Sequence, residues 1–303
     1  MITPLLSMTL IILVGHGVSR LGMFRPSVRK GMALILVNLT TPALILATVP
    51  SALRGIPLQN ISQFLLLAFL SLGMQIGIAH SVFCHKKQPE QGILRASASF
   101  GNLTYVALPL SVSLYGPTGL LYSTLFSLVH DLAFWIYVPQ VLHQKSIQSK
   151  TNPLKTILVA LFQPPLLALF MAFLLGLTPY TLPPLFQNAL SSIGNCTIPL
   201  ALLSLGASVG PMKKLTQSIS ALIHIALIKM LLLPLGLLAL LLLIPLPKEG
   251  AGTLLLHIAA PTATFIQIVA QQHQSDETLA ANLAIGTLLP GFILLPILIK
   301  LVC

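Results

Sequence analysis

The chain has 303 residues, of which 55% are hydrophobic and only 7% charged. Soluble domains carry about 25% charged residues, so this composition excludes a water-facing globule and leaves a polytopic membrane protein. The net charge of +11 does not point to nucleic acid, because the basic residues are scattered between apolar runs; the partner read from composition is the lipid bilayer.

The apolar runs are about 20 residues long, the length that crosses a bilayer as helix. They lack the period-two alternation of a transmembrane barrel, so the fold class is all-α. Ten spans are predicted, at roughly 3–19, 31–49, 61–83, 92–113, 118–141, 154–176, 185–209, 216–244, 251–271 and 277–301. The first lacks a basic leader and a small-residue cleavage site, and reads as a retained span. Short links such as Gly116–Pro117 and Thr178–Pro184 leave no room for a soluble domain. The longest polar link, 143–153, divides the chain into two halves of five spans, 1–142 and 154–303.

The basic residues sort by link. Arg20, Arg25, Arg29 and Lys30, then Lys86, Lys87 and Arg95, then Lys145, Lys150 and Lys155, then Lys213 and Lys214 fall on one side. Arg54, Lys248 and Lys300 fall on the other. The positive-inside rule places the first set in the cytoplasm. The expectation is an integral protein of the plasma (inner) membrane with both termini outside. The acidic stretch Asp276–Glu277 sits on the cytoplasmic side, but acids count little in this rule. Cys84, Cys196 and Cys303 are far apart and predict neither a disulfide framework nor a metal site.

Three features carry chemistry. The fourth span contains Gly101, Asn102, Thr104 and Pro109. Proline removes an N–H and crowds the preceding turn, and glycine weakens the helix, so this span should open at membrane depth. Next, the second span holds Asn38, Thr40 and Pro42, and the seventh holds Asn195, Thr197 and Pro199, the same N-x-T-x-P pattern 157 residues later. Five spans per half make such a repeat inverted. Finally, the ninth span, counterpart of the fourth, carries Pro261, Thr262, Thr264 and Gln267. Two broken polar helices at matching places in inverted halves point to a solute site, because unpaired backbone is tolerated only in protein or around a cavity.

The segments GNLTYVALPL (101–110), TIPLALLSLGASVG (197–210) and AAPTATFIQIVAQQHQ (259–274) resemble helices 4, 7 and 9 of the auxin efflux carrier family, which includes the plant PIN exporters and belongs to the bile-acid/arsenite/riboflavin transporter superfamily. The likeness covers the whole chain. Leu103, Thr104 and Ala107 stand where the family often has Thr or Gly, and Phe265 where it often has Asn; these departures bear on the substrate more than on the fold. The resemblance implies a scaffold of helices 1, 2, 6 and 7, a transport domain of helices 3–5 and 8–10, and an X-shaped crossing of helices 4 and 9 at the solute site. It also implies elevator-like movement, a homodimer, and a place for the N-x-T-x-P helices in the scaffold wall.

Each polar residue has a plain structural reading beside the functional one. Asn102 would bind a solute carboxylate or clasp the opened backbone. Thr262 and Thr264 would offer half-helix N–H groups to an anion or bond their own helix carbonyls. Gln267 lies five residues past Thr262, on another face of a regular helix. Asp131 is the only acid inside a long apolar run and must be paired, hydrated or protonated. It would couple transport to H+ or Na+, orient the broken helices or form a structural pair. His130, about 100° away round the helix, is not its automatic partner. Lys229 would offset a solute's charge, pair with Asp131 or snorkel to an interface; the family often has a basic residue nearby. His16, His224 and His257 are lone histidines on apolar helices, of which His257 lies one turn before Pro261.

No catalytic motif is present, neither G-x-S-x-G nor H-E-x-x-H nor a phosphate-cradling glycine loop. The function expected is a secondary transporter of a small organic anion, not an enzyme, without a cofactor or metal and with H+ or Na+ as possible coupling ions. The alternatives are a sodium-coupled symporter of the bile-acid type and a receptor or sensor on a transporter fold. From the sorting of charge, a cysteine replacing Ser149 should be protected from an impermeant label added outside intact cells; labelling there would reverse the orientation.

Overall fold

The computed structural model describes residues 2–142, 162–208, 215–288, 290, 291 and 294. The link at 143–153, the start of the sixth expected span and the end of the tenth lie outside them. So do residues 209–210, Lys145, Ser149, Lys150, Lys155, Lys213, Lys214, Lys300 and Cys303. Among the described residues the fold is all-helical, with no strand.

The helices are α1 Ile2–Arg20, α2 Pro26–Ile35, α3 Thr41–Arg54, α4 Leu58–Val82, α5 Glu90–Ser99, α6 Leu108–Leu142 and α7 Pro164–Gly176. After them come α8 Pro184–Gly194, α9 Thr197–Ser208, α10 Leu215–Leu227, α11 Leu233–Leu243, α12 Lys248–Ile258, α13 Phe265–Gln272 and α14 Glu277–Gly286. Among the described residues five helical runs are long and apolar enough to cross a bilayer: Ser27–Arg54, Leu58–Val82, Leu103–Leu142, Pro184–Ser208 and Ser218–Leu243. Large apolar side chains such as Leu13, Phe69, Phe170 and Leu242 are exposed, a surface that suits hydrocarbon and would aggregate in water.

Proline spacing explains how several of these helices open. Among the described residues three π-helical turns occur, at Leu36–Thr40, Leu103–Ala107 and Ile228–Leu232. Each ends two residues before a proline, namely Pro42, Pro109 and Pro234. A proline ring collides with the carbonyl four residues back and cannot donate to it. Those carbonyls belong to Asn38, Tyr105 and Met230, the middle residue of each turn, and a wider turn makes room for the ring. Before Pro199 the helix loosens into a two-residue turn, Asn195–Cys196, between α8 and α9, and the carbonyl four back belongs to Asn195.

Gly116 breaks α6 outright, with φ 58° and ψ −139°, a conformation other residues adopt only under strain. A Cβ on Gly119 would strike the carbonyl of Ser111. A straight helix would hold those residues about 12 Å apart, so the chain doubles back here, where the link between the fourth and fifth spans was expected.

The chain forms two compact units. The first comprises residues 1–61, 104–125 and 161–210. In it α1 packs on α9, and α3 on α7 and α8. Glycines set these approaches: a Cβ on Gly15 would meet the backbone of Leu203, and one on Gly206 the carbonyl of Ile12. Small residues facing each other let membrane helices meet backbone to backbone. Arg29 Nη1 and Ser19 Oγ both donate to the Ala207 carbonyl, at 3.4 and 3.3 Å, and Gln187 Nε2 donates to Ala47 O at 2.8 Å.

The second unit comprises residues 62–103, 126–160 and 211–303. Here α5 packs on α10, α13 and α14. A Cβ on Gly286 of α14 would lie 2.7 Å from Leu222 of α10. The buried Asn282 donates from Nδ2 to Ser218 Oγ at 2.9 Å, fixing α14 to α10.

Gly206→Val should destabilise the folded protein by about 1–3 kcal/mol through overpacking against α1. Gly17→Ala on the same helix pair, where an added Cβ meets nothing within 4 Å, should be neutral. Thermal unfolding of both variants in detergent checks the difference.

Candidate functional site

The two interrupted spans meet inside the second unit. The first helix stops at Ser99 and the next π-helical turn starts at Leu103. On the other side α12 stops at Ile258 and α13 starts at Phe265. Residues Gly101 and Thr262 face each other as an isolated antiparallel bridge. The Asn102 N–H donates to Pro261 O at 2.7 Å, and the Ala263 N–H to Phe100 O at 3.1 Å. Backbone groups released by one break are therefore satisfied by the other.

Side chains complete the exchange. In an unbroken helix the Gly101 N–H would donate to the carbonyl of Ser97. Here it donates to His130 Nε2 at 3.3 Å, and Ser97 O instead accepts Thr262 Oγ1–H at 3.2 Å. The Thr262 N–H donates to Thr287 Oγ1 at 3.0 Å, and Thr287 in turn donates to Leu283 O at 2.7 Å. Gly101 is required by closeness: a Cβ there would lie 2.9 Å from Ala260 Cβ and 3.2 Å from His257 O. The expectation of open amides at the break is corrected. Those of residues 101, 102, 262 and 263 are all held within the protein, because at membrane depth an unpaired amide is too costly to leave.

The predicted residues divide by position. Gly101, Asn102, Pro261 and Thr262 come together and are buried. Thr264 is half-buried at the start of α13, while Gln267 is exposed on that helix, turned away from the buried Thr262. Thr104 and Pro109 lie in the chain segment that belongs to the first unit. In that unit Thr40 and Thr197 are buried, Asn38, Asn195 and Pro199 are exposed, and Pro42 is half-buried. Asn38 Nδ2 donates to its own helix, to Leu34 O at 2.9 Å.

Asp131 has a partner after all. His130 Nδ1 lies 3.0 Å from Asp131 Oδ1, since neighbouring side chains can bend toward each other despite the turn between them. The imidazole is 5% exposed and the carboxylate 42%, so the acid is the open side of the pair. Lys229 is not that partner and does not snorkel. It is fully buried in a π-helical turn, and its Nζ has no hydrogen-bond partner among the described residues. His257 is buried, with Nδ1 2.8 Å from Thr253 O, and its ring meets Phe126 edge-on at 5.0 Å. His16 and His224 stay local, bonding to Arg20 and to Ser220 O one turn away. Among the described residues no three His, Cys, Asp or Glu side chains converge to hold a metal ion.

Sequence reading missed Ser97 and Thr287, and gave His130 no place at the break. The available signal was polarity: Thr287 is a hydroxyl in an apolar run, 157 residues after His130. That is the spacing of the two N-x-T-x-P motifs.

A family model described as membrane transport protein matches residues 1–299. No curated protein matches the chain.

Thr287→Val would leave the Thr262 amide buried without its acceptor, costing about 1–3 kcal/mol. Thr287→Ser keeps the acceptor and should stay near wild type. Thermal unfolding with amide exchange at Thr262 separates the two.

Proposed function

The chain belongs to the auxin efflux carrier family of membrane transport proteins, and on that footing we propose that it is a secondary transporter of a small organic anion, a mono- or dicarboxylate. One observation carries the reading: two interrupted helices meet antiparallel at Gly101 and Thr262, the arrangement in which transporters hold their solutes. Asn102 and Thr264 supply neutral hydrogen-bonding groups beside the meeting point. Lys229, buried in the same unit, offsets the solute's charge.

The architecture proposed is ten spans in two inverted halves. Its support is the recurrence of the 157-residue offset, which relates Pro42 to Pro199 and His130 to Thr287. The division into two compact units supports a scaffold and a transport domain that work by an elevator-type alternating-access cycle, with the crossing carried by the second unit. Asn38 and Asn195 would then be polar wall residues of the scaffold, through which two copies form a homodimer. Both termini lie outside the plasma (inner) membrane in this reading.

A binding screen of small carboxylates on the purified protein, followed by counterflow in proteoliposomes, tests the proposal. Asn102→Ala should weaken binding of the carboxylate best retained by about tenfold or more, the loss of a hydrogen bond to a charged group, while the folded protein survives. Unchanged affinity would remove Asn102 from the site, and specific binding without counterflow would favour a sensor.

A further inference from the structure

We propose that His130 Nε2 is a proton-binding site whose occupancy competes with the Gly101 amide, so that the anion is carried together with a proton; this rests on the transport reading above. A backbone N–H can only donate, so the nitrogen 3.3 Å from Gly101 N carries the lone pair. The neutral ring then holds its hydrogen on Nδ1 and donates it to Asp131 Oδ1 at 3.0 Å. The tautomer follows from these two contacts. A proton arriving at Nε2 forms an N–H bond there and displaces the Gly101 N–H, because two donors cannot face each other. Nδ1–H stays on Asp131. Net charge on the His130–Asp131 pair goes from −1 to 0, and one amide at the crossing becomes free to meet an anion.

The other half of the molecule makes the assignment sharper. There the amide of the residue that faces Gly101, Thr262 N–H, is held by Thr287 Oγ1 at 3.0 Å. Two latches thus close the two broken helices, and only one of them is a base. Asp131, 42% exposed, is the open side of the pair. The titratable groups around His130 are few. Asp131 shares its helix, and His257 of α12 lies beyond Phe126, whose ring is 6.0 Å from that of His130. Past Phe100 stand Tyr137, His80 of α4 and Arg95 of α5, joined through Tyr137 Oη to His80 Nδ1 at 3.1 Å and Arg95 Nη2 to His80 O at 3.5 Å.

Amide exchange of the full-length protein between pH 8 and pH 5, corrected for the intrinsic pH dependence of exchange, tests the site without a solute. In the wild type the Gly101 amide should lose protection by up to about tenfold as pH falls, the worth of one hydrogen bond, while the Thr262 amide does not change. His130→Gln offers an acceptor that binds no proton, and should hold Gly101 protected at every pH. Asp131→Asn removes the carboxylate that accepts Nδ1–H, and should alter the pH response of the Gly101 amide while leaving that of Thr262 unchanged. Equal responses of the two amides in the wild type, or a response that survives in His130→Gln, would overturn the proposal. Proteoliposome flux of acetate and succinate separates the two ideas. A titrating latch without flux sinks the transport reading alone. Flux whose rate and proton uptake are the same in wild type and His130→Gln sinks the coupling alone.

Discussion

Everything at the centre of this protein follows from one constraint: a backbone amide or carbonyl released in the middle of a bilayer has no water to bond. Two spans are interrupted here, by Gly101 in one and by Pro261 in the other, and each interruption would be too costly alone. They are tolerated because they pair. Asn102 N–H to Pro261 O and Ala263 N–H to Phe100 O turn two defects into a short antiparallel bridge. The remaining amides reach side chains, Gly101 to His130 and Thr262 to Thr287. Pairing of this kind holds polar backbone at membrane depth within the protein.

Proline acts at several depths of severity. Before Pro42, Pro109 and Pro234 the helix only widens into a π-helical turn. Before Pro199 a two-residue turn separates α8 from α9, and Pro261 lies in the non-helical segment between α12 and α13. At Pro261 another segment takes over the released bonds. In the first unit the corresponding device is glycine, with Gly15 and Gly206 drawing α1 and α9 into backbone contact.

Much of this is legible from residue types. The apolar runs, the glycine and prolines that open the fourth and ninth spans, the turn at Gly116 and the kinship of the chain can all be read in order along the sequence. The partners are less legible. Asp131 and His130 are adjacent, and helical geometry argues against their pairing, yet flexible side chains bridge the turn. Lys229 looks long enough to reach an interface but is wholly buried. The open amides expected at the breaks are closed, since burial penalises every unpaired donor while sequence spacing says nothing about which distant acceptor is near.

By itself, then, the sequence determined that this chain lives in a membrane as helices, where those helices weaken, and to which family it belongs, because hydropathy, proline and glycine act locally. Only the tertiary structure decided what the weakened segments bond to: Gly101 to His130, Thr262 to Thr287 and Ser97, and each break to the other. Those choices depend on groups 25 to 165 residues apart being brought to hydrogen-bonding distance, and no local pattern encodes a distance through space.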